Sequence, residues 1–302
     1  MKITIDPKRY MDGRMTVMGI AAILITWFHC DIIIQPGSVL EIFKLTGDIG
    51  VDMFLFASGA GIYLAANKYP SYFQYLYRRV RRVLIPYLCV CAPLYNYERL
   101  MFGGGYSRFV KRILMLDFWL EGNLSNWYIA GILFLYIITP FWINLWKKHR
   151  WVYAGTFLTV LFGYIFLRNV PGIVRWNIFL CRIPVYLLGL AFGKMLFEKR
   201  KTEVSLPLSA GVFLCGVILV LASMGRLPMG IPGAYKYIAY IPVAVGLSLI
   251  CSQIPSNKFL NYFGVRSLEI YLLLKRFRKR YTLYHNWKFL QAIPSLCWRY
   301  LA

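Results

Sequence analysis

The sequence predicts an all-α polytopic transmembrane bundle of about eight to ten membrane helices, and three observations predict it. First, 59% of the residues are hydrophobic and 18% aromatic, with a mean hydropathy of +0.54, well above the composition of a water-soluble domain. Second, the apolar residues fall in runs close to the roughly 17 to 25 residues needed to cross a hydrocarbon core. Third, the charge gathers between those runs. The chain carries 35 Lys and Arg against 12 Asp and Glu, a formal charge of +23. In a water-soluble protein that excess would point to nucleic acid. Confined to the connections of an apolar chain it sets orientation, so lipid headgroups are expected partners and nucleic acid is not.

In chain order the apolar runs cover residues 16–34, 49–66, 83–101, 127–146, 152–167, 178–197, 206–224 and 235–251. A ninth begins at Ser267 and is cut off by Lys275. The first follows a basic flank holding Lys2, Lys8, Arg9 and Arg14, with no small-residue cleavage site after it, and reads as an uncleaved span. The second carries Ala57-Ser58-Gly59-Ala60-Gly61, small residues that permit close helix approach. No strand-turn-helix context surrounds Ser58, so packing is its reading. Arg78-Arg79-Val80-Arg81-Arg82 precedes Pro86 and the third run. Trp127 and Tyr128 open the fourth, at positions typical of an aromatic belt, with stacking on a sugar as a weaker reading.

Further basic connections hold Lys147, Lys148 and Arg150, then Lys199, Arg200 and Lys201, then Lys258 and Arg266. If the spans alternate, all of these fall on one side with the amino terminus, and the positive-inside rule makes that side cytoplasmic. The stretch 102–126 then lies outside, where residues 109–120 alternate apolar and charged side chains as a single interfacial helix would. At the other end, Lys275, Arg276, Arg278, Lys279 and Arg280 follow only a short apolar stretch. Each would cost roughly 2.5 to 3.5 kcal/mol at mid-bilayer. The chain therefore divides into a membrane domain, 1–274, and a basic aromatic tail, 275–302, that stays in the cytoplasm or at the interface with Tyr281, Tyr284 and Trp287, and with His285 far from any chemistry. The seven cysteines show no zinc or redox spacing; they read as small apolar packing, and no metal is expected.

The strongest site signal is His29, an ionisable side chain inside the first run, where it is costly and by default marks function. Asp52 lies near the start of the second run at a similar expected depth. A carboxylate that fixes the imidazole tautomer would leave the other ring nitrogen to take a proton from a hydroxyl. Asp31 is a second candidate orienter, but residues two apart on a helix do not face each other. The plainer reading of His29 is interhelical hydrogen bonding. Arg79 and Arg82 share a helix face, with Arg78 beside them, and suit the phosphates of a lipid headgroup or of coenzyme A; the plainer reading is orientation and lipid anchoring.

Together these residues resemble the acyltransferase 3 family of bacterial membrane O-acyltransferases. The resemblance runs through His29 after Gly19-Ile20-Ala21-Ala22-Ile23-Leu24, through Ile49-Gly50-Val51-Asp52-Met53-Phe54 with Ser58-Gly59, and through Arg78-Arg79-Val80-Arg81-Arg82-Val83-Leu84-Ile85-Pro86-Tyr87. It continues in Asn126-Trp127-Tyr128-Ile129 with Tyr136 and Pro140, and in Gly264 with Ser267-Leu268-Glu269-Ile270-Tyr271. The resemblance implies an acyl-CoA donor, most simply acetyl-CoA, on the cytoplasmic side of a bacterial plasma membrane, and no bound cofactor. It places Arg79 and Arg82 near that donor, His29 near the transfer step, and a cell-envelope carbohydrate as acceptor. Two departures stand out. Met18 occupies the position eleven residues before the histidine where the family often has Arg, with Arg14 one turn earlier, and the last motif ends at Leu274 against the cations of the tail. The competing readings are a carrier or flippase that uses His29 and Asp52 as a proton relay, and an inactive, truncated relative.

Overall fold

The computed structural model describes residues 4–5, 7–30, 34–69, 71–103, 105–198, 204–255 and 257–273. Asp31, residues 199–201 and the tail 275–302, with the expectations attached to them, lie outside the described residues. The helices are α1 (Pro7–His29), α2 (Val39–Thr46), α3 (Ile49–Lys68), α4 (Tyr72–Phe102), α5 (Tyr106–Ile113), α6 (Leu116–Glu121), α7 (Trp127–Lys148), α8 (Trp151–Leu167), α9 (Asn177–Leu180), α10 (Ile183–Phe197), α11 (Leu206–Ser223), α12 (Lys236–Cys251) and α13 (Lys258–Val265). Residues 267–273 are helical as well. The single strand pairing among the described residues is the two-residue antiparallel match of Thr4–Ile5 with Val204–Ser205. The fold is an all-α polytopic bundle. Five helical stretches, in α1, α3, α7, α10 with its lead-in, and α11, are long and apolar enough to cross a membrane, and α8 and α12 are shorter apolar helices.

α3 is the centre of the bundle, with residues 49–63 all buried. Apolar side chains gain little by leaving lipid for protein, so the bundle depends on close backbone approach. The small residues of α3 provide it. A Cβ on Gly59 would strike the Tyr186 carbonyl oxygen of α10, and one on Gly189 of α10 would strike the Phe56 carbonyl oxygen. Gly50 packs against Ala21 and Ile25 of α1 in the same manner. Glycines at 216 and 246 seat α11 against α12, where Gly216 meets Val243 and Gly246 meets Phe213.

Four features depart from the expectation. α1 ends at His29, so the histidine closes its helix instead of lying a turn inside it. α4 runs unbroken through Arg78–Arg82, which belong to the same 31-residue helix as the third apolar run and not to a connection. Pro86 and Pro93 lie within it, each denying a helical donor to the carbonyl four residues earlier. The expected single helix over 109–120 is two, α5 and α6. They are divided at Met115, whose left-handed backbone, φ 57°, is a cost that burial of its side chain helps offset. Finally, Lys258 and Arg266 do not flank a bare connection, because α13 lies between them and inserts against α1, with Gly19 at the Leu260 carbonyl and Gly264 at the Met15 carbonyl.

Candidate functional site

Helical spacing on four helices lines one cavity of about 420 Å³. Arg14, Met18 and Ile25 share a face of α1; Val51, Phe54 and Ser58 share a face of α3; Arg79, Arg82 and Val83 face in from α4; and Tyr128, Ile132 and Tyr136 recur every fourth residue on α7. Gly264, Ser267, Leu268 and Tyr271 complete the wall. Because the helices alternate in direction, the three arginines gather at one end. At the other, the ring of Tyr128 lies 5.9 Å from that of Tyr271, and Tyr271 lies 6.4 Å from the imidazole of His29.

Among the described residues, no carboxylate lines the arginine end. Arg79 Nη2 donates to the Gly61 carbonyl oxygen at 2.7 Å. The Arg14 guanidinium packs against the same glycine, with Nη2 3.0 Å from where a Cβ would stand, and Arg14 Nε is buried with no acceptor among the described residues. Arg79 and Arg82 also line a second, more open depression of about 710 Å³, together with Arg78 and Arg81. Arg78 rests over the Tyr69 ring at 5.2 Å and Arg81 over that of Tyr77 at 6.0 Å. Arg79 and Arg82 thus border both the depression and the cavity, and Arg14, one turn before Met18, joins them on the cavity side.

Between the two ends the wall is apolar apart from hydroxyls. The Ser58 hydroxyl stands close to those of both Tyr128 and Tyr136 along this wall. Tyr75 donates to the Tyr136 carbonyl at 3.3 Å, and Thr139 Oγ1 and Tyr186 OH are 2.7 Å apart. Ser58 thus lines a cavity, a position its small-residue surroundings did not indicate. Asn126, just before α7, donates to Tyr95 OH at 2.6 Å and to Tyr87 OH at 3.3 Å, which ties the start of α7 to α4.

His29 is half-buried and packs edge-on to Phe28 at 5.0 Å. It stands beside the cavity through Tyr271, while Ile25, one turn earlier, forms the actual wall. Asp52 is not placed as its orienter. Gly50 faces α1, and two residues on a helix rotate about 200°, so Asp52 faces α10. There its Oδ1 lies 3.5 Å from Arg182 Nε. Arg182 Nη2 also donates to Asp48 Oδ2 at 3.2 Å, and Lys236 Nζ lies 3.9 Å from Asp48 Oδ1. Two acids and two bases thereby neutralise one another at the His29 end of α3, α10 and α12. The Arg182 guanidinium also covers the rings of Trp127 at 5.2 Å and Tyr237 at 4.7 Å. Trp127 is accordingly buried under a cation, with that face closed to a sugar, whereas Tyr128 faces the cavity. Arg182 escaped the sequence reading although it stands within the run 178–197, where the rule that singled out His29 applies equally.

A family model described as an acyltransferase domain matches residues 18–298. No curated protein and no solved structure matches the chain.

Proposed function

Because the chain belongs to the acyltransferase 3 family, we propose that this membrane acyltransferase moves an acyl group, most simply acetyl, from a coenzyme A thioester to a hydroxyl of a cell-envelope carbohydrate. One observation carries the donor: Arg14, Arg79 and Arg82 converge on a cavity that no carboxylate among the described residues lines, and Arg79 and Arg82 also border an open basic depression. Clustered guanidiniums without a counter-ion suit a polyphosphate held bidentately. With the coenzyme's phosphates there, its pantetheine arm enters the cavity and carries the thioester toward His29. The basic depression opens to the cytoplasm in this reading, which also places the amino terminus inside a bacterial plasma membrane.

His29 acts as the general base. It takes the proton of the acceptor hydroxyl as the oxygen attacks the acyl carbon, and returns it to the departing thiolate. Asp52 acts through the fold, fixing α3 to α10. The acceptor approaches from the His29 end, past Tyr128. The test is transfer of radiolabelled acetyl from acetyl-CoA to envelope glycan by the full chain reconstituted in vesicles. Ester formation that requires the donor on the Arg79 face supports the reading. Movement of a glycolipid across the bilayer without acyl-CoA, and no ester, would replace it with a carrier.

A further inference from the structure

Tyr128 brings a hydroxyl group to a cavity whose lining is otherwise largely apolar on the facing helices, with Met18 and Ile25 from α1, Val51 and Phe54 from α3 and Ile132 from α7. Ser58 lines the same cavity from α3, with its hydroxyl close to that of Tyr128 and to that of Tyr136, two turns further toward the arginines. The Tyr128 ring is one aromatic contact from Tyr271, and Tyr271 is one contact from His29. Tyr128 and Tyr271 are the cavity-lining phenols on the chain of rings that leads to the candidate base, and Tyr128 is the one that stands beside Ser58, while Tyr136 lies toward Arg14 and Arg79.

We propose that Tyr128 is a catalytic residue whose phenol donates a hydrogen bond to the carbonyl oxygen of the donor thioester and holds the negative charge that gathers on that oxygen during transfer, and that Ser58 is the positioning residue that aims it. The proposal rests on the coenzyme A reading of the cavity. In the step, the acceptor oxygen bonds to the acyl carbon as His29 takes its proton, and the carbonyl electron pair moves onto oxygen against the Tyr128 hydroxyl. As that pair returns, the carbon–sulfur bond breaks, its electrons leave with sulfur, and the thiolate takes the proton from the imidazolium. Tyr128 keeps its own proton throughout. A fixed neutral donor in a dry apolar wall suits this task, because a hydrogen bond to developing charge is strongest where water is excluded and the dipole is already aligned. A serine, and not an alanine, on the small-residue face of α3 at this point brings a hydroxyl beside both phenols.

The experiment compares two coenzyme A thioethers that cannot transfer an acyl group, S-acetonyl-CoA, which keeps a carbonyl, and S-propyl-CoA, which lacks it, binding to the full chain in lipid nanodiscs. The parent should bind the acetonyl compound more tightly by a factor on the order of ten. Tyr128→Phe should erase that difference while binding S-propyl-CoA as the parent does, and should lower kcat for acetyl transfer on the order of 10²-fold with donor KM little changed. Ser58→Ala should narrow the difference without erasing it, and serves as the deciding variant if Tyr128→Phe binds neither compound. Equal binding of the two thioethers by the parent overturns the proposal, as does full discrimination retained in Tyr128→Phe or, where Ser58→Ala decides, in Ser58→Ala. Failure of the parent to bind either compound is a different result, which overturns the coenzyme A reading and this proposal together.

Discussion

Asp52 Oδ1 and Arg182 Nε face each other at 3.5 Å across the α3–α10 contact, with both side chains buried. Asp48 and Lys236 complete a neutral cluster around them. Removing one member of such a cluster strands the others. Arg182→Met should therefore destabilise the folded protein by about 3–5 kcal/mol, while the double change Arg182→Met, Asp52→Asn, which leaves the Asp48–Lys236 pair balanced, should recover most of that loss. Thermal unfolding in detergent, followed by near-ultraviolet absorption, measures both. Equal damage in the single and double variants would show that the cluster is not electrostatically linked.

His29 and Asp52 should separate in their effects. His29→Ala should lower turnover by a factor on the order of 10² to 10⁴ with the folded fraction unchanged. Asp52→Asn should lower the folded fraction, leaving kcat per folded molecule within severalfold of the parent. Parental acyl transfer by His29→Ala would remove the histidine from the chemistry.

Arg79 both lines the cavity and donates to the Gly61 carbonyl, a contact that depends on guanidinium geometry. Changing Arg79 and Arg82 to Ala should weaken binding of coenzyme A by at least tenfold, and changing both to Lys should restore only part of it, because an ammonium group cannot grip two phosphate oxygens in parallel. Isothermal titration with coenzyme A is the measurement. Complete rescue by Lys would mean that charge alone matters there.

The Gly59 and Gly189 contacts leave no room for a side chain. Gly189→Leu should prevent assembly of α3 with α10, and Gly189→Ala should cost roughly 1–3 kcal/mol through forced separation of the backbones. Yield of monodisperse protein and unfolding temperature report the two cases; normal stability of the leucine variant would contradict the packing described.

The orientation is testable at Arg81, which is exposed beside the basic depression. In a chain with its native cysteines replaced, Arg81→Cys should react with a membrane-impermeant maleimide only after the cells are opened. Labelling of intact cells would reverse the proposed direction of acyl flow.

Much of this was legible because membranes constrain sequences so simply. The apolar runs each became a helix except the sixth, which is divided into α9 and α10 at Cys181 and Arg182, and the spacing of Arg79 and Arg82 already put them on one face. What stayed hidden depends on partners distant in the chain. Asp52 looked like a companion for His29 because their expected depths matched, yet depth says nothing of helical rotation, and Arg182 lies 134 residues from Asp48. Ser58 looked like packing because small residues surround it, and only the approach of α7 turns it into cavity wall. The turn at Met115 carries no glycine to announce a left-handed residue, and α13 is too short and too polar in its flanks to register as part of the bundle.

The continuity of α4 has a consequence for the surroundings of the protein as well as for its interior. At 1.5 Å per residue its 31 residues extend about 46 Å, well beyond a hydrocarbon layer of about 30 Å even when a helix tilts. The first turns, with Arg78, Arg79, Arg81 and Arg82, accordingly project into the plane of the phospholipid headgroups. Anionic lipids attract each such cation by roughly 1 kcal/mol, so a bilayer rich in them supplies rival phosphates to the groups that would hold the donor. The acyl-CoA concentration needed for half-maximal rate then becomes a property of the membrane's composition as much as of the polypeptide.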